Sequence, residues 1–137
     1  MRKMTHDLQV SVMRLARRLR AERGDHGLTL SQLSVLATLH RHGAMTSGEL
    51  AAHERVQPPS MTRTVANLVA DGLLERKDNP EDRRQVLLRL TKAGTELLAS
   101  DRARREAWLT CRMSEITADE RQTLARAAVI LDRLAGS

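Results

Sequence analysis

Residues 46–72 read TSGELAAHERVQPPSMTRTVANLVADG, and this stretch decides the fold. Thr46 is followed three residues later by Glu49. This is the pattern of a capping box, in which the hydroxyl accepts a backbone N–H and the carboxylate reaches back to the cap. It opens a short helix holding Leu50, Ala51 and Ala52 that ends near Glu54. A tight turn containing Val56 leads to Pro58 and Pro59. A helix tolerates both in its first turn, where N–H groups have no intrahelical partner. This second helix runs to about Asp71, and Gly72 terminates it. The two helices and their turn form a helix–turn–helix.

Working downstream, Leu73–Lys77 and Val86–Leu90 read as short strands, separated by the polar, turn-forming residues 78–84. Two strands joined by a charged loop directly after a helix–turn–helix make a wing. Thr91 caps a long helix through about Met113, with Leu97, Leu98, Ala107 and Trp108 among its apolar positions. Thr117 and Glu120 form a second capping box, starting a final helix with Leu124, Ala127, Leu131 and Leu134. Upstream, a helix from about Leu30 to His42 has Leu33, Leu36 and Leu39 as its inner row and stops at Gly43. From Thr5 to Arg23 the apolar residues Leu8, Val12, Leu15 and Leu19 recur at helical spacing, opposite Arg14, Arg17, Arg18 and Arg20.

The expected fold is mainly α, a winged helix-turn-helix with a two-stranded β-wing plus N- and C-terminal dimerisation helices. We expect a single domain over 1–137, with the winged lobe at about 30–91 and the dimerisation helices at 1–24 and 92–137. The terminal helices carry more apolar surface than a lone lobe could bury. A homodimer accounts for this; the alternative is that they fold back on their own lobe.

Composition narrows the class. With no Tyr, no Phe and one Trp, the core must be built from Leu, Val, Ala and Met, which suits helices. Charge interrupts every apolar run well short of the roughly 20 residues of a membrane span. Met1–Asp7 is basic and polar with no apolar stretch behind it, so no export signal is visible. Cys111 is the only cysteine, which rules out an intrachain disulfide and fits a reducing compartment. The expected location is cytoplasmic and nucleoid-associated. No phosphate loop, Ser-His-Asp order or metal-ligand cluster is present, so neither an enzyme nor a cofactor is expected.

Net charge is +6, and all but three of the 23 basic side chains are arginine. Arginine presents a planar fork of donors suited to phosphates and guanine edges. A GC-rich codon bias gives the same composition, so charge alone nominates nucleic acid without deciding for it.

The helix beginning at Pro58 carries more information. At about 100° per residue, Met61, Val65 and Leu68 share one face and Arg63 lies opposite. Pro59, Ser60 and Asn67 flank Arg63, and Thr62 and Thr64 complete the hydrogen-bonding set with Pro58 at the helix start. Arg can bond guanine through two donors, Asn can read adenine, and Ser or Thr can contact bases or phosphates. The helix N-terminus can receive a phosphate. An ordinary solvated face would carry Glu and Lys, yet no acid occurs from Pro58 through Ala70. This helix is therefore the expected reader of double-stranded DNA. In the wing, an arginine of Arg83-Arg84 can enter the narrow minor groove while Asp82 braces one of the pair. Spacing leaves open which arginine does which. A winged-helix protein–protein module without DNA binding is the alternative, and the acid-free face argues against it.

Several pieces together resemble one family. They are Leu50-Ala51, Ser60-Met61-Thr62-Arg63, Leu68, Asp71-Gly72-Leu73-Leu74-Glu75-Arg76, Asp82-Arg83-Arg84 and Leu90-Thr91-Lys92-Ala93-Gly94. In this set the chain resembles the MarR family of bacterial winged helix-turn-helix transcription regulators, over essentially its whole length. The resemblance implies a homodimer whose first and last two helices intertwine, placing two winged lobes on a pseudo-palindromic operator. It also implies repression of nearby genes, relieved by a small ligand or an oxidant.

For the releasing signal, Cys111 lies late in the fifth helix with no Tyr in the chain, so a buried or interfacial structural thiol is expected. His40 and His42 point about 200° apart on a helix. His6, His26 and His53 are scattered, so no metal site is expected. The resemblance leaves a small anionic or aromatic effector as the default. Arg14, Arg17 or Arg18 could pair with its carboxylate, although spacing assigns no ligand residues.

Overall fold

The computed structural model describes residues 1–136. In chain order the elements are α1 (Arg2–Ala21), α2 (Leu30–His42), β1 (Met45–Thr46), α3 (Ser47–Glu54), α4 (Pro58–Ala70), β2 (Leu74–Asp78), β3 (Val86–Leu90), α5 (Lys92–Met113) and α6 (Ala118–Ala135). The fold is mainly helical with a small antiparallel sheet of order β1-β3-β2. The expected wing is β2 and β3. The third strand was not foreseen. Two residues have no readable period, and β1 exists only because β3 offers a free edge, where Met45 stands opposite Leu88 and Thr46 opposite Leu87.

Capping chemistry sets the helix starts. Thr29 accepts the Gln32 N–H while the Gln32 side chain takes the Thr29 N–H, a complete capping box that the sequence reading missed. Thr117 and Glu120 form the second complete box. At Thr46 only half the expected box forms. Its hydroxyl oxygen accepts the Glu49 N–H, but Glu49 takes the Thr46 hydroxyl proton rather than a backbone N–H. Thr46 also ends β1, so its backbone lies in the sheet.

The core belongs to the segment 24–102. Val35, Leu36 and Leu39 of α2 meet Leu50 and Ala51 of α3, then Met61, Val65 and Leu68 of α4, with Leu74 and Leu88 closing it from the sheet. Each of the Val, Leu and Met side chains among them, removed from water, is worth about 1.5–3 kcal/mol. That burial holds α4 by its apolar stripe and leaves its other face outward.

The join between the wing and α5 explains the Leu90-Thr91-x-x-Gly94 pattern. The Thr91 hydroxyl donates to the Gly72 carbonyl at 2.6 Å and accepts the Gly94 N–H at 3.1 Å. The Thr91 N–H donates to the Leu73 carbonyl at 3.1 Å. A β-carbon on Gly94 would stand 2.3 Å from that same carbonyl oxygen, so only glycine fits. Gly72 itself has φ +75°, the left-handed conformation that ends α4 at low cost.

The chain separates into two compact units, 24–102 and a terminal unit of 1–23 with the segment from 103 onward. Within the terminal unit, no residue of α1 or α6 is buried. Leu8, Val12 and Leu15 on α1 and Leu124, Ile130 and Leu134 on α6 are exposed to solvent. The single aromatic side chain, Trp108, lies 4.7 Å below the Arg18 guanidinium and 5.8 Å from that of Arg112. Cys111 is exposed in the single chain. No helix among the described residues is long and apolar enough to cross a membrane.

Candidate nucleic-acid interface

Burying Met61, Val65 and Leu68 turns the opposite face of α4 outward. Pro58, Pro59, Ser60, Thr62, Arg63 and Asn67 are exposed there, and Thr64 is half-buried at its edge. Arg63 has no ion-pair partner among the described residues, so its fork of donors is uncommitted. The hydroxyls differ from one another. Thr62 donates to the Pro58 carbonyl and Thr64 to the Ser60 carbonyl, each at 3.0 Å. Both therefore present acceptor lone pairs outward, whereas the Ser60 hydroxyl keeps its proton for an outside acceptor.

The start of α4 also departs from a simple anion site. Gln57 makes no side-chain cap, and Pro58 and Pro59 occupy the first two helical positions. Neither proline has an N–H, so Ser60 supplies the first backbone donor of the helix proper. The prolines fix the entry backbone; they do not bind an anion.

In the wing, Asp82 contacts Arg84. Asp82 Oδ1 accepts the backbone N–H of Arg84 at 3.0 Å and lies 3.5 Å from Arg84 Nε. The loop is further tied by Asp82 N–H to the Asn79 carbonyl and Gln85 N–H to the Asp82 carbonyl. Arg84 is therefore the braced arginine, yet its side chain is 94% exposed. Contact through Nε leaves both Nη groups free to donate elsewhere. Arg83 is exposed and has no ion pair among the described residues. Arg76 and Lys77 on β2 add exposed positive charge that spacing did not mark, because they stand within a strand whose alternation reads as ordinary.

The histidines are less scattered than their spacing suggests. His53 is not isolated: α2 and α3 bring its ring to 5.0 Å from that of His42, edge to face. No group of three or more His, Cys, Asp or Glu side chains among the described residues is arranged to hold a metal ion.

This chain is 44% identical to the uncharacterised HTH-type transcriptional regulator ML2140 of Mycobacterium leprae, over 94% of this chain and 90% of that one. It is 32% identical to the HTH-type transcriptional repressor MdtR of Bacillus subtilis, over 94% and 84% of the two chains. Residues 28–86, from the turn before α2 to the start of β3, match the model of the MarR family. The chain belongs to the MarR family. Structural likeness extends beyond that matched stretch. The transcriptional regulator Tm0710 of Thermotoga maritima superposes with a TM-score of 0.83 at 25% identity, covering 98% of this chain and 94% of that one. As a MarR-family member this protein is a DNA-binding transcription regulator and not an enzyme.

Proposed function

We propose that the protein acts as a homodimeric repressor on a pseudo-palindromic operator, with α4 in the major groove and the wing in the minor groove. One observation carries this reading: α4 buries Met61, Val65 and Leu68 while presenting Ser60, Thr62, Arg63 and Asn67 with no acid among them. Arg63 reads a guanine edge, Asn67 an adenine edge, and Ser60 with Thr62 and the half-buried Thr64 completes the contacts around Pro58 and Pro59. Arg84 enters the minor groove, held at its Nε by Asp82, and Arg83 meets a phosphate.

The exposed apolar rows on α1 and α6 support the homodimer, because they would otherwise remain wet. Two-fold symmetry then places two α4 helices on half-sites about one helical turn apart. The protein is read as cytoplasmic and nucleoid-associated, with release by a small anionic or aromatic effector. Such an anion would find Arg14 and Arg17 on an open groove of about 640 Å³ along α1, neither in an ion pair among the described residues.

Duplex affinity measured as a function of salt tests the DNA contact, since neutralising phosphates must release counterions. We expect log K to fall steeply and linearly with log salt. A flat response would falsify the reading. Footprinting on DNA upstream of the protein's own gene should show two protected half-sites related by dyad symmetry, and a single half-site would rule out the dimer on DNA.

A further inference from the structure

Helices α2, α3 and α4 border a pocket that lies behind the DNA-facing surface and shares only Ser60 and Thr64 with it. It has a volume of about 310 Å³ and opens between α2, the end of α3 and the first half of α4. This is near the lower bound for small-molecule sites, so it suits a small occupant. Its floor is Val35 and Met61, both fully buried. At its rim stand Leu30 and Val56, two large apolar side chains that are 53% and 38% exposed.

Charge identifies the occupant. Among the described residues Glu54 is the only ionisable side chain lining the pocket. Its two carboxylate oxygens accept the Ser34 hydroxyl at 2.9 Å and the nearly buried Thr38 hydroxyl at 2.6 Å. Both hydroxyls are neutral, and no cation pairs with Glu54 among the described residues. Glu54 is also the last residue of α3, where the carbonyl end of a helix disfavours negative charge. In a protein of net charge +6, a half-buried carboxylate without a cationic partner stands out as a receptor for positive charge. Each of its oxygens retains acceptor capacity after one hydroxyl bond.

We propose that this pocket binds a small organic ammonium, its charge on Glu54 and its apolar tail on Val35, Met61 and the rim. An ammonium offers three donors, which Glu54 can share with the rim hydroxyl oxygens of Ser34 and Ser60. An anion is excluded, because the pocket meets it with a carboxylate and no cation. The site is distinct from the arginine-lined groove on α1. Ser60, Met61 and Thr64 of α4 line the pocket, so its occupant touches the helix that carries Arg63. That coupling rests on α4 being the DNA reader; the binding site itself does not.

The test uses the full-length protein without DNA and three probes of one shape: phenethylammonium, 2-phenylethanol and phenylacetate. Calorimetry and amide chemical shifts should show saturable binding of phenethylammonium, with shifts at Ser34, Val35, Met61 and Thr64. The alcohol and the anion should bind at least about tenfold weaker, as expected when one charge-assisted hydrogen bond is lost. Glu54→Gln keeps one oxygen to accept one hydroxyl and offers its N–H to the oxygen of the other, and should weaken the ammonium at least about tenfold in a protein that stays folded. Ser31→Phe, at an exposed lining position with no bond to Glu54, should block the pocket in a folded protein. No binding by the native protein, equal binding of phenylacetate, or full binding by Glu54→Gln each overturns the site. A further titration with duplex DNA separates the two claims. Saturating phenethylammonium should change duplex affinity several-fold. Intact binding with unchanged duplex affinity would retain the site and discard its coupling to α4.

Discussion

Asp101, near the middle of α5, accepts a hydrogen bond from His26 in the loop before α2, with 2.8 Å between His26 Nε2 and Asp101 Oδ2. The other carboxylate oxygen accepts the Gly24 N–H at 2.7 Å. His26 Nδ1 accepts the Leu28 N–H at 3.1 Å, which assigns the ring proton to Nε2 and aims it at Asp101. Asp101 is 2% exposed, so this carboxylate is held in place of water by two N–H donors.

Replacing Asp101 with Ala leaves both donors without an acceptor in a nearly dry site. The expected loss of stability is about 3 kcal/mol, because charged hydrogen bonds and unsatisfied buried donors each carry large terms. His26→Ala removes one donor and should cost about 1–2 kcal/mol. In a double-mutant cycle by chemical denaturation, the two losses should fall well short of additive. Additive losses would separate the two residues.

Gly94→Ala forces a β-carbon to 2.3 Å from the Leu73 carbonyl oxygen. The backbone must shift where α5 leaves the wing, at an expected cost of about 1–3 kcal/mol. Thr91→Val removes the hydroxyl that ties Gly72 to the Gly94 N–H and should cost about 1–2 kcal/mol. Thermal unfolding without DNA measures both, and an unchanged midpoint for Gly94→Ala would show that this contact yields easily.

Arg63→Ala should reduce operator affinity by about 1–3 kcal/mol and relax preference at one base pair of each half-site. Binding to a panel of single-substituted operators checks this. Equal weakening on every sequence would make Arg63 a phosphate contact.

In the wing, the two arginines should separate. Arg83→Ala should lower the slope of log K against log salt by about 1, as for one phosphate contact. Arg84→Ala should instead weaken binding most where the minor groove is narrow and A·T-rich. Asp82→Ala frees Arg84 from its Nε contact and should act in the same direction more weakly. Arg83 and Arg84 are exposed, so melting temperatures of their variants should barely move, and that of half-buried Asp82→Ala should fall only slightly. A large fall would make the loop structural.

Leu124→Glu combined with Ile130→Glu places charge in the exposed apolar row of α6. Sedimentation equilibrium should show dimer mass falling to monomer mass. Operator affinity should drop about 100-fold or more as the second half-site is lost. Unchanged mass would show that this row is not the dimer contact.

Much of this was legible along the chain because local rules decide it. The stripe Met61-Val65-Leu68 follows from helical period, and the outward position of Arg63 follows with it. The prolines at the start of α4 and Gly72 at its end act on their own backbone, and so does the Thr117–Glu120 box. Where two distant segments share a partner, spacing was silent. β1 needed the free edge of β3, and His53 met His42 only because α2 and α3 pack together.

The sequence by itself therefore determined which helices form, which face of each is apolar, and that the acid-free face of α4 points away from the core. Periodicity and capping act within a few residues, and they were enough. Tertiary structure alone decided that Asp82 braces Arg84, because a hydrogen bond to one of two adjacent arginines depends on the turn of the loop. It alone joined Asp101 to His26 across 75 positions, and set Glu54, with no cation on it among the described residues, beside a pocket between α2, α3 and α4. Such relations depend on distances between packed elements, and no local pattern carries those.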